Sequence, residues 1–174
     1  MRTFLLILSV VVISSVNGFG QTAHEAFMSS KIKTNTTGDF NTWVHGDNDF
    51  STVTNDDWNN WSYAYLGLEG EINTLNTNDF TNWKIANTGI TITNTDGSYN
   101  NWTVTGDGRT INLTTTNWNT WVLNGSVIGG ISTTDTDDFS EWELQGGDWT
   151  SIGPQMRAAT VFISVFSSAV LKNL

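Results

Sequence analysis

Between Asp39 and Ile152 the apolar residues of this chain come in short bursts, and no 3.6-residue period runs through them. Trp102 and Val104, like Trp121 and Leu123, stand two apart with a polar residue between, and clusters of Asn, Thr, Asp and Gly separate one burst from the next. Alternation of this kind predicts strands with one buried face, because successive side chains of a strand point to opposite sides. Asn, Gly and β-branched residues are poor helix interiors, which disfavours a helical repeat.

The bursts are copies of one figure. DFNTW (39 to 43), DWNNW (57 to 61), DFTNW (79 to 83), SYNNW (98 to 102), NWNTW (117 to 121) and DFSEW (138 to 142) each end on tryptophan, and successive tryptophans are 18, 22, 19, 19 and 21 residues apart. Two residues beyond each stand His45, Tyr63, Ile85, Val104, Leu123 and Leu144. Further on come Val53, Ile72, Ile92, Ile111, Ile131 and Ile152. A unit of about twenty residues therefore reads strand, turn, strand, turn.

A propeller blade needs about twice that length. So short a unit cannot bury a core alone, but it can as one rung stacked on others. The expected fold is all-β: a β-solenoid or β-roll of six stacked repeats over residues 39–153, after a signal peptide (1–20) and an N-terminal segment (21–38), and before an apolar C-terminal cap or anchor segment (154–174).

Stacking in register would place Trp43, Trp61, Trp83, Trp102, Trp121 and Trp142 in a core ladder, with Asn and Thr forming neutral ladders beside it. The first aromatics, Phe40, Trp58, Phe80, Tyr99, Trp118 and Phe139, stand three residues before the tryptophans. A flat strand would point the two rings to opposite faces. Either the chain bends and buries both, or these six form a surface aromatic row able to bind sugars or another filament.

The flanks carry their own signals. Arg2, an apolar run from Phe4 to Ile13 and small residues up to Gly20 have the order of a secretory signal peptide. Ala158 to Leu171 is uncharged and apolar, but fourteen residues of helix reach only about 21 Å, short of a hydrocarbon core of about 30 Å. A cap over the last rung is expected there. The competing reading is a lipid-anchor signal with small residues at Gly146 and Gly147, the one route by which this chain would meet a membrane.

Composition narrows the partners. Only 14% of residues are charged, the net charge is −10, and Lys84 and Arg109 are the only basic residues between Asp39 and Ile152. No basic patch is present to displace counterions from phosphates, so nucleic acid is not an expected partner. There are no cysteines, hence no disulfide or thiolate metal site. N-x-S/T sequons at Asn35, Asn60, Asn101, Asn112 and Asn124 occur about as often as chance allows in so Asn- and Thr-rich a chain.

No catalytic motif is found. His24 and His45 are the only histidines, and His45 fills a strand-core slot. HGDNDFSTVTNDD (45 to 57) starts like a calcium loop at Asp47, Asp49 and Ser51 but lacks the glycine and the bidentate glutamate. No metal, cofactor or enzymatic activity is expected.

Three residues before the aromatics stand Thr37, Asn55, Thr77, Asp96, Thr115 and Thr136. This broken threonine rank resembles the ice-binding faces of some solenoid antifreeze proteins. In architecture the chain also resembles curli-type amyloid fibre subunits, without their Ser, Gln, Gly, Asn, Gln pattern, so no functional residue carries over. The expected function is that of a secreted, non-enzymatic structural protein that self-associates into an extracellular fibre, matrix or surface layer. The alternative is a binding module for glycans, through the aromatics, or for ice, through the threonines.

Overall fold

The computed structural model describes residues 24–174; the expected signal peptide lies outside them. Strands β1 (Ile32–Thr34), β2 (Thr42–His45), β3 (Asn48–Thr52), β4 (Asn60–Tyr65), β5 (Leu68–Thr74) and β6 (Asn82–Ile85) are followed by β7 (Thr91–Asn94), β8 (Asn101–Gly106), β9 (Arg109–Thr114), β10 (Thr120–Gly125), β11 (Gly129–Thr133) and β12 (Glu141–Gln145). Each pairs antiparallel with its neighbours in sequence, and β1 pairs with β12 to close a twelve-stranded barrel.

This corrects the stacked solenoid. The unit is strand, turn, strand, turn as its pattern indicates, but the units stand side by side around an axis. The physical reason lies in the turns. Leu66-Gly67 and Asp107-Gly108 all have positive φ, the two-residue geometry that folds a strand back on its predecessor. Consecutive strands are thus tied antiparallel before any rung could stack on another. Closure leaves no unpaired first and last rung of the kind through which a solenoid associates end to end.

Inward-facing residues alternate as expected: Trp61, Tyr63 and Tyr65 on β4, Trp102 and Val104 on β8, Ile111 and Leu113 on β9 are all buried. About eight strands suffice for side chains alone to fill a barrel, so twelve enclose too much space. The apolar tail fills it. Pro154–Ala169 forms a helix buried on nearly every face from Ala158 onward, as a helix with no charge beyond Arg157 and no polar side should be. Phe162 and Phe166 stack on each other at 5.3 Å and meet the Trp61 and Trp83 rings edge-on at 5.1 to 5.5 Å.

The array therefore cannot be described apart from its flanks. β1 supplies the strand that completes the sixth unit, and the tail supplies the core. Among the described residues no helix is long and apolar enough to cross a membrane.

Val53 and Ile152 depart from the repeat register. Val53 is exposed just past β3, whose inward residue is Phe50, and Ile152 is buried in the segment leading to the helix.

Candidate functional site

The six motifs fall at one end of the barrel, as the loops that enter β2, β4, β6, β8, β10 and β12. In four of them the backbone makes the same turn: the N–H of Asp39, Asp57, Asp79 and Asp138 donates to the carbonyl three residues earlier, at 2.9 to 3.2 Å. The residue just before the aspartate, Gly38, Asp56, Asn78 or Asp137, has positive φ, which Gly, Asn and Asp tolerate best. The aspartate Oδ1 then accepts the N–H two residues on, from Asn41, Asn59, Thr81 or Ser140. This turn brings the two aromatics of each motif to the same side of the chain.

All six motif tryptophans are at most 1% exposed. In five units the indole N–H donates to the carbonyl of the first aromatic, from Trp43 to Phe40 at 3.2 Å and from Trp61, Trp83, Trp102 and Trp142 at 2.9 to 3.0 Å. The tryptophans ring the inner helix instead of forming a rung-on-rung ladder. Phe40, Trp58, Phe80, Tyr99 and Trp118 are half-buried, and Phe139 is buried. Phe40, Trp58, Phe80 and Tyr99 stack on their tryptophans with centroids 5.7 to 6.2 Å apart, while Trp118 meets Trp121 edge-on. The outcome lies between the two expected: one ring is core, and its partner is a rim residue with a fixed plane.

The polar residues between them form a belt. The carbonyls of Asn41, Asn59, Thr81, Asn100, Asn119 and Ser140 accept from the N–H groups of Thr52, Thr74, Asn94, Thr115, Thr133 and Thr34, at 2.7 to 3.0 Å. Each bond joins one rim loop to the next, and the last closes the ring. Side chains reinforce it. The Asn59 Oδ1 accepts from the Thr74 hydroxyl at 3.1 Å and the Asn78 N–H at 2.6 Å, and Asn41 and Asn119 do the same for their neighbours. At the closing joint, Gly38 N–H donates to the Ser140 hydroxyl at 3.2 Å.

Loop length varies around the rim. Thr34 pairs with Trp43, Thr52 with Trp61, Thr74 with Trp83 and Thr133 with Trp142, all nine residues apart. Asn94 pairs with Trp102, one residue tighter, and the fifth loop, fixed by Val122 opposite Thr114, is tighter still. In these two short loops the aromatic itself takes positive φ, 59° at Tyr99 and 63° at Trp118. Such a backbone costs bulky residues about 1 to 3 kcal/mol, which the surrounding belt must hold.

The threonine rank has no flat face to occupy. Thr37, Thr77 and Thr136 are exposed at rim turns, while Thr115 is buried and donates to the Thr120 carbonyl at 2.7 Å. A closed ring of twelve strands turns its outer surface by about 30° per strand, so neighbouring ranks do not share a plane.

The opposite end is closed by residues 24–30 and by the segment leading to the helix. His45 is fully buried there. Its Nε2 lies 3.0 Å from the Phe27 carbonyl and its Nδ1 2.5 Å from the Tyr65 hydroxyl. A carbonyl can only accept, so Nε2 carries the proton and Tyr65 donates to Nδ1. Burial pulls the His45 pKa down to about 4. The imidazole is neutral, bonded on both nitrogens and sealed from solvent, an arrangement that suits a core residue and not an exchanging base.

Elsewhere carboxylates are surface groups. Asp39, Asp57, Asp79 and Asp96 are held below the usual range by hydrogen bonds from neighbouring Asn, Thr and Ser groups. Among the described residues no group of three or more His, Asp or Glu is placed to hold a metal ion.

The rim is therefore the repeated surface of this molecule: six aromatic rings of fixed plane, five with an aspartate in or next to their motif, around a filled barrel. Compared with protein-family models, with curated proteins and with solved structures, the chain gives no match.

Proposed function

We propose that this chain is a secreted, non-catalytic binding module that engages its partner through the motif-bearing rim. The observation that carries the reading is repetition at one end: successive units hold a half-buried aromatic beside a carboxylate in the same local geometry, so a partner would meet several weak contacts at once. Linked weak contacts give avidity without any single strong site. The interior is packed with the helix and the tryptophans, which leaves the outside to do the work. Secretion rests on the residue order from Met1 to Gly20.

A fibre or layer subunit is less well supported, since among the described residues every strand has partners on both sides and no open rung is present to template a second copy.

The test is binding by the purified protein to a panel of immobilised neutral glycans, acidic glycans and basic peptides, alongside a variant carrying Phe40→Leu, Phe80→Leu and Tyr99→Leu. Retention of at least one class that the triple variant loses supports the reading. Retention of none, or retention that the variant leaves unchanged, overturns it.

A further inference from the structure

One of the six rim positions already holds an occupant, supplied by the chain itself. Lys172 lies in the turn Leu171–Asn173 after the inner helix, and its Nζ sits 3.2 Å from the centroid of the Phe139 ring. The negative face of an aromatic ring attracts a cation at this range. Asp137 acts on the same ammonium through its charge, favouring the protonated form against the partial burial that lowers the Lys172 pKa. The ring thus seats the ammonium in the sixth unit, with the negative charge of Asp137 near enough to act on it.

The first four units repeat the ring with a carboxylate close to it in sequence, although the position of Asp137 itself is an aspartate only at Asp56 and is Gly38 or Asn78 in the first and third units. Phe40 follows Asp39, Trp58 follows Asp56 and Asp57, Phe80 follows Asp79, and Tyr99 lies just past Asp96. The fifth unit has Asn117 before Trp118 and so lacks the carboxylate. Where Lys172 covers it, Phe139 is buried; Phe40, Trp58, Phe80 and Tyr99 are half-buried.

We propose that the rim docks a lysine-rich, extended polypeptide segment of a partner, each ammonium seated over a motif aromatic beside its aspartate as Lys172 is seated over Phe139. This rests on the rim being the binding surface.

Three features select this chemistry. The amide groups a neutral glycan would need are engaged in the belt: Asn41, Asn59 and Asn119 each bond to their own motif and to the next loop. What the rim has left to offer is ring surface and negative charge, in a chain of net charge −10.

Lysine suits it better than arginine. A guanidinium seeks both oxygens of one carboxylate, but Oδ1 of each turn aspartate is taken, and Oδ2 of Asp57 and of Asp96 accepts from Asn60 and Asn101. An ammonium needs no such fork.

Spacing gives the third feature. Adjacent units are two strands apart, about 10 Å. A polyproline II segment has three residues per turn and rises about 3.1 Å per residue, so lysines three residues apart lie on one face, about 9 Å apart, and match the rim.

The probe is a synthetic peptide of repeated Lys-Gly-Ser triplets, titrated calorimetrically into the protein and into the triple Phe40→Leu, Phe80→Leu, Tyr99→Leu variant, which keeps apolar bulk but removes three ring faces. The expected result is saturable binding that weakens with salt, is absent for a Gln-Gly-Ser peptide, and falls about tenfold or more in the variant, whose cooperative thermal unfolding, at a lowered midpoint, shows that it is still folded at the titration temperature.

Equal affinity for variant and parent, or equal binding of the glutamine peptide, overturns the proposal. Spermidine binding as tightly as the peptide overturns the polypeptide partner. A neutral glycan bound at the rim while the lysine peptide is ignored overturns this proposal alone and leaves the rim reading standing. Failure of every probe removes both.

Discussion

The Trp121 indole N–H donates to the Ser168 hydroxyl at 2.9 Å, and that hydroxyl donates in turn to the Trp118 carbonyl at 2.7 Å. In the other five units the indole reaches the carbonyl of its own motif directly. The fifth loop is the shortest, and Trp118 sits there at φ 63°, so the inner helix inserts a serine where the loop has no direct bond. Ser168→Ala removes the donor and acceptor at once and strands a buried indole N–H. A loss of about 1 to 3 kcal/mol is expected in urea unfolding. An unchanged midpoint would show that Trp121 simply swings to the carbonyl.

The belt predicts a graded effect at equivalent positions. Asn59 bridges two rim loops through its side chain, whereas Thr81, one unit on, bonds only within its own motif, to Asp79 and Asn82. Asn59→Ala should cost about 1 to 2 kcal/mol, since it leaves the Asn78 N–H and the Thr74 hydroxyl without their acceptor. Thr81→Ala should cost less. Equal losses in parallel thermal melts would mean that the bridging bonds contribute nothing beyond the local turn.

Filling the barrel predicts that the tail is indispensable. A chain ended after Gly153 loses the helix against which Trp61 and Trp83 pack, and among the described residues no other element is left to occupy the axis. Such a protein should show no cooperative unfolding transition and should bind hydrophobic dyes, as loosely packed states do. Phe162→Ala, a milder cut, should cost about 3 to 5 kcal/mol. A truncated chain that melts cooperatively near the parent temperature would contradict the filled core and would revive a tail that is removed on maturation.

Much of this was legible in particular residues. The strand at Trp102 to Val104, the turn that follows it and the buried face all lie in the alternation itself. What misled was the direction of assembly, because a period near twenty residues is equally compatible with rungs along an axis and hairpins around one. Two signals could have decided. Asp107-Gly108 between alternating strands is a hairpin turn, which a solenoid of parallel rungs does not use.

The segment IKTNTTGDF at 32 to 40 also has the same length and pattern as ISTTDTDDF at 131 to 139, so half a unit lies before the first motif. A half-unit at the start and a lone first strand at the end are what a closed ring requires. The apolar tail, uncharged on all sides, was legible as buried, but not as the filler of a lumen whose existence depended on closure. Lys172 over Phe139 depends on where the end of the inner helix emerges at the rim, and no spacing announces it.

The last prediction concerns pH. In the folded protein His45 titrates at about 4, because burial disfavours the charged ring and both nitrogens are already bonded in the neutral form. In the unfolded chain a histidine titrates near 6.5. Above about pH 6.5 both states are neutral and the stability is fully present. As pH falls from 6.5 towards 4 the unfolded state takes up a proton that the folded state refuses, and stability declines by on the order of 3 kcal/mol. Below about 4 the folded state protonates too, and this contribution to the slope ends. The rim aspartates, whose pKa values are lowered by hydrogen bonding, act in a separate window at still lower pH. Urea midpoints measured from pH 8 to pH 3.5 should therefore fall first between 6.5 and 4, and His45→Gln should flatten that step while leaving the acid limb in place. If the step survives in His45→Gln, it belongs to another group, and the sealed contact of His45 with Tyr65 and Phe27 is not what makes the barrel acid-sensitive.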